Sequence, residues 1–261
     1  MQARIIRFFW GSKMSKLASI VFCMCCIAVQ PQRAASQILS GDEHKETPGT
    51  TQDREEGGCL RASHEVLNGQ TQLLQTSGDP RLDAALSQEL RVLRTGFQAN
   101  PFFALYGGSS SDNAFATPGD ANYQNGRVVF GLNLMHGELQ RTNSTGYTIP
   151  IIMAHEFGHI LQFQYGLHFK GKYQELQADY LAGWYMGNRE RNVPGGMDAV
   201  VGSVQRFFEL GDYEFSSPSH HGTPEERKQA ILQGFSDYQS PLALAFKHST
   251  SYTSRIGGRQ E

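Results

Sequence analysis

Cysteine is scarce in this 261-residue chain: there are four, and three of them (Cys23, Cys25 and Cys26) fall within the first 26 residues. Such a chain is not a disulfide-stapled scaffold. A strong charge of one sign is also missing. The 23 basic and 25 acidic residues leave a formal charge of −2 at pH 7, so there is no electrostatic footprint for nucleic acid. The apolar run at 17–29 is too short for a bilayer core, which needs about 20 such residues. What is present is the composition of a folded protein. A hydrophobic share of 39%, with 28 glycines besides, excludes disorder throughout.

Acidic residues are absent from the first 36 positions, which carry Arg4, Arg7, Lys13, Lys16 and Arg33. A basic start, a short apolar run and then Ala34-Ala35-Ser36 match a secretory signal peptide, with cleavage expected before Gln37. An uncleaved interfacial anchor is the alternative. Without residues 1–36 the chain would have 225 residues, an acidic balance and Cys59 as its one thiol, so neither an internal disulfide nor a cysteine-pair metal motif is available. The expected location is outside the cytoplasm, periplasmic or secreted, with no stable membrane insertion after cleavage. Residues 37–58 are polar and charged, and read as a disordered linker or propeptide-like spacer. His44 within them reads as a solvated loop residue. The domain is expected over 59–246, followed by a tail at 247–261 that lacks apolar periodicity.

Within that domain, Leu82, Ala85, Leu86, Leu90 and Leu93 recur at helical spacing, giving a helix over 83–96 that stops at Gly96. Residues 101–106 read as a buried strand, 109–124 as a long loop, and 126–135 as a second strand after an Asn-Gly turn. Thr148 reads as the N-cap of a helix that is apolar round most of its circumference, and hence buried. A further helix begins near Lys172 and stops at Met186-Gly187-Asn188. The fold class expected is α+β, with a small sheet beside this buried helix and a helical C-terminal half.

Three polar residues interrupt the buried helix: His155, Glu156 and His159. They form H-E-x-x-H. Positions i and i+4 share one helix face, so both imidazoles can ligate one ion. Glu156 lies about 100° round the helix, beside the ion, where a carboxylate can take a proton from a metal-bound water. Imidazole and carboxylate suit Zn2+, one ion per chain. Glu175 is the candidate third ligand. Asp179, one helical turn on, is placed to accept an imidazole N–H and fix its tautomer.

The segments HEFGHILQ and ELQADYLAGWYMG resemble the gluzincin class of zinc metallopeptidases, and more narrowly the bacterial neutral zinc metallopeptidase family, which pairs HExxH with E-x-Q-A-D. The segment His221-Gly222-Thr223-Pro224-Glu225-Glu226-Arg227 is similar to that family's H-G-[ST]…R element. The resemblance covers about residues 126–235. It implies zinc, a zincin-like metallopeptidase domain with its active-site helix beside a sheet edge, ligands His155, His159 and Glu175, and Glu156 as general base.

The last element also has a local reading, in which Thr223 and Glu226 form a capping box opening a helix to about Gln233. His221, just before it, either hydrogen-bonds an oxyanion or a site carboxylate, or is a structural loop histidine. Arg227 reads as pairing with a helix neighbour rather than with an acid of the site. His136, His168, His220 and His248 read as surface or loop residues. The activity expected is that of an exported zinc metalloendopeptidase acting on peptide or protein substrates. The strand at 126–135 is expected to offer an edge for an extended peptide. Alternatives from other classes are a non-catalytic zinc-stabilised binding protein and a zinc amidase acting on a non-peptide or cell-wall amide.

Overall fold

The computed structural model describes residues 72–257, apart from 109–110, 112, 142–145, 170, 191–195 and 210–221. The expected signal and linker segments, His44, Cys59, His220 and His221 lie outside the described residues. No helix among those described is long and apolar enough to cross a membrane.

The chain is α+β and mostly helical, with seven helices and a four-stranded mixed sheet among the described residues. Helix α1, Pro80–Phe97, opens on Asp79, whose side chain accepts from the backbone N–H groups of Arg81 and Leu82. It buries Leu82, Ala85, Leu86, Leu90 and Leu93, the stripe that the sequence spacing marks out, and Phe97 beyond it. It does not stop at Gly96 but runs one residue further, to Phe97, and is capped by Gln98 in the left-handed region.

The strands are β1 (Leu73–Leu74), β2 (Phe102–Tyr106), β3 (Ala114–Thr117) and β4 (Arg127–Gly131), in the order β1-β2-β4-β3. β2 and β4 run parallel, with Phe102 opposite Arg127, while β3 runs antiparallel to β4. Three expectations change here. The stretch 109–124 is not all loop, because it contains β3. These four residues have no run long enough to signal a strand alone, and their pairing with β4 makes them one. The strand expected over 126–135 ends at Gly131, and α2, Leu132–Gln140, follows at once. Leu134, Met135 and Glu138 face inwards at helical spacing, which a reading of alternation misses. Finally, β4 lies between β2 and β3, so it offers no free edge; β3 is the outer strand on that side among the described residues.

Helix α3, Thr148–Gln164, is buried along nearly its whole length. Tyr147 occupies the cap position and makes no side-chain cap, so Thr148 is the first helical residue rather than the N-cap. α3 packs against β3, β4 and helix α4, Lys172–Glu190. α4 runs past the expected stop at Met186-Gly187-Asn188. Its last turn is held by Arg189, which pairs with Glu89 of α1 at 2.9 Å and with Glu190. α3 and α4 approach closely at Gly158, where a Cβ would lie 3.0 Å from Ala178 Cα.

Helices α5 (Gly196–Glu209), α6 (Pro224–Ser236) and α7 (Leu242–Arg255) complete the C-terminal half. The capping box of α6 is present as expected, with Thr223 and Glu226 each accepting from the other's backbone N–H. Gly234 does not end α6. It lies against the carbonyl of Tyr180, where any side chain would collide, so it serves the packing of α6 on α4. The tail expected from 247 is instead most of α7. Its inward face is Leu242, Ala245, Ser249 and Thr253, spaced three and four apart. Two of those four are hydroxyl residues, so hydrophobic periodicity alone does not reveal the helix.

Candidate metal centre

The site lies between α3 and α4. His155 meets Asp179, His159 meets Glu175, and Gln162 reaches the Gln174 carbonyl, so the numbers fall on one helix as they rise on the other. The helices are therefore antiparallel. His155, His159 and Glu175 are all buried, and each offers one ligand atom within 4.8 Å of the others. Nε2 of His155 lies 3.0 Å from Nε2 of His159. The Glu175 carboxylate lies 3.2 Å from the first of these nitrogens and 3.5 Å from the second.

The protons of the two rings can be assigned from their partners. His155 Nδ1 donates to Asp179 Oδ1 at 2.9 Å, and His159 Nδ1 donates to Gln162 Oε1 at 2.7 Å. With Nδ1 protonated in both rings, the two Nε2 lone pairs point at each other and at a carboxylate. Three electron-pair donors facing one another are repulsive unless positive charge sits between them. A tetrahedral ion with bonds of about 2.0–2.1 Å would separate its ligand atoms by about 3.3 Å. The three observed separations bracket that figure. The His-His-Glu group could hold a metal ion.

Charge around the centre points the same way. Burial alone would lower the pKa of His155, but its bonds to Asp179 and Glu175 hold it up at about 10. The surroundings of His155 thus favour a positive charge there. Asp179 is fully buried, which would raise its carboxyl. Arg227 outweighs this, donating from Nε at 2.8 Å and from Nη2 at 2.9 Å, and with His155 it holds Asp179 below the usual carboxylate range. Arg227 therefore crosses from α6 to an acid of the site, contrary to the helix-neighbour pairing expected from sequence. The contact spans 48 positions, which local spacing cannot foresee.

Glu156 is 2% exposed, and its Oε2 has no hydrogen-bond partner among the described residues. Burial pushes its carboxyl up, against the pull of His155 and His159. The structure thus brings together five of the six residues singled out by sequence; His221, the sixth, lies outside the described residues. Gln162 is the site residue that the sequence reading passed over. Its signal was available, since an amide in an apolar helix three residues after His159 needs a partner. His136 and His168 are exposed, as expected, and His248 is half-buried, its Nδ1 3.0 Å from Asp237. Comparison of the chain with protein-family models, with curated proteins and with solved structures finds no match.

Proposed function

We propose that the protein is an exported zinc metalloendopeptidase with a zincin-like active site on α3 and α4. The observation that carries this reading is Glu156, a buried carboxyl whose Oε2 has no hydrogen-bond partner among the described residues, next in sequence to a residue of the group that could hold a metal ion. An unsatisfied buried acceptor costs about 1–3 kcal/mol. A purely structural metal site gains nothing from it, whereas a site that moves a proton needs it. Zinc bound by His155, His159 and Glu175 would lower the pKa of a coordinated water towards about 7 and polarise a substrate carbonyl.

The remaining work falls to the chain's own residues. Glu156 accepts the proton of the attacking water at its carboxylate and hands it to the departing amine nitrogen. A carboxyl whose affinity for protons is raised by burial suits both transfers. Asp179 and Gln162 hold the two rings with Nδ1 protonated. An extended peptide would add to the sheet on β3, its outer strand beside α3, rather than on the interior strand β4. Export rests on the composition of residues 1–36. Incubating the zinc-loaded protein with an unfolded polypeptide tests the activity. Cleavage that a chelator stops and zinc restores is expected; no cleavage, or cleavage indifferent to the chelator, would overturn the proposal.

A further inference from the structure

His159 is connected to the C-terminal helix by a chain of amides and hydroxyls, buried except at the half-buried Thr250. Ser249 Oγ and Thr250 Oγ1 both donate to the Phe246 carbonyl, at 2.7 and 2.9 Å. Their protons being committed there, both oxygens face Gln177 as acceptors. Gln177 Nε2 donates to them at 3.2 and 3.0 Å. That turns Gln177 Oε1 towards Gln162, whose Nε2 donates to it at 3.0 Å and to the Gln174 carbonyl at 2.7 Å. Gln162 Oε1 is left facing His159 Nδ1. An amide oxygen can only accept, so Nδ1 carries the ring proton and Nε2 keeps its lone pair for the centre.

The sense of every bond in this chain follows from a backbone carbonyl, at Phe246 on one side and Gln174 on the other. An amide held by a single ambiguous partner could be turned round; Gln162 is held from two sides. Gln162, Gln177 and Ser249 have no exposed surface, so bulk water does not stand in for a lost partner. The two imidazoles are thus backed differently, His155 by the Asp179–Arg227 ion pair and His159 by a neutral chain.

On the reading of His155, His159 and Glu175 as a metal-holding group, we propose that Gln162 and Gln177 are positioning residues for His159, and that α7, through Ser249 and Thr250, belongs to the metal site. They fix which ring nitrogen faces the ion without adding charge to it. Groups that orient a metal ligand in this way are worth about 10–100-fold in affinity.

The test uses the full chain, with zinc alone as probe. Affinity is read by competition with a chromophoric chelator, and the His159 tautomer of the metal-free protein by 15N NMR of the ring nitrogens. Gln162→Met should lose about 10–100-fold in zinc affinity, and its His159 ring should populate both tautomers. Gln162→Glu, which keeps an acceptor at Nδ1, should retain the single tautomer and bind more tightly than Gln162→Met. The pair Ser249→Ala and Thr250→Val, whose hydroxyls lie 72 and 73 positions from Gln177, should shift both readouts in the same direction by less. A folded Gln162→Met that keeps parental affinity and the parental tautomer would overturn the inference. Should Gln162→Met not fold, unchanged readouts in the Ser249/Thr250 pair would overturn it instead. A parent chain that takes up no zinc would overturn the metal reading, and this inference with it.

Discussion

Asp179 has no exposed surface and still carries a charge, because two groups compete to stabilise it. Arg227 holds it from one side through two nitrogens, and His155 donates to it from the other. Removing one partner of such a buried pair leaves the other uncompensated, which costs about 3–5 kcal/mol. Arg227→Met should therefore lower stability by that order in a denaturant titration. It should also weaken zinc binding, since Asp179 then holds His155 less firmly. Loss of stability within the ordinary few tenths of a surface substitution would mean that the pair does not form. Glu156 is the counterpart at the same scale, a buried carboxyl whose Oε2 has no hydrogen-bond partner among the described residues, a cost that the proposed proton transfer would account for.

At the level of elements, the site depends on how closely α3 and α4 approach. Gly158 sets that distance, with Ala178 opposite it on α4. Gly158→Ala puts a methyl group 3.0 Å from Ala178 Cα, and over-packing of this kind costs about 1–3 kcal/mol. Pushing the helices apart also draws Glu175 away from His155 and His159. Thermal unfolding and zinc competition should both register the change, whereas a variant of parental stability and affinity would show that the approach is not limiting.

The start of α6 gives a separate prediction, in acid. Glu226 is half-buried, which alone would raise its carboxyl, but Lys172 and the Thr223 N–H outweigh this and lower it. A carboxyl lowered in the folded state contributes stability that is present above its unfolded pKa of about 4.5 and is lost as pH falls through the folded value. Glu226→Gln should therefore flatten the decline of stability below about pH 4.5. At pH 7 it should cost less than about 1 kcal/mol, because the pair with Lys172 is solvent-screened. A decline in acid that is as steep as in the parent would exclude Glu226 as its source.

For the molecule as a whole, the parts legible in the sequence are those with a strong local signal. α3 could be read because it is apolar nearly all round, and in both α3 and α4 the candidate site residues recur at helical spacing. The same spacing put His155 beside His159 and Glu175 beside Asp179. What could not be read depends on contacts between distant residues. β3 is a strand because β4 is its neighbour, and α7 is a helix whose inward face is half serine and threonine. Arg227 finds Asp179 across 48 positions, and nothing in its own helix announces this. The amide chain from Phe246 to His159 was hidden for the same reason, since Gln177 and Ser249 are 72 positions apart.

These pieces converge on one claim, that a buried metal-holding group and a carboxyl beside it act together in hydrolysis. Glu156→Gln tests this most directly, with zinc content and turnover measured on the same preparation. The amide keeps the size of the side chain and leaves His155, His159 and Glu175 untouched, so one zinc per chain should remain bound. It cannot accept the proton, so cleavage of an unfolded polypeptide should fall by about 10²–10⁴-fold. A variant that holds zinc and cleaves at the parental rate would contradict the account.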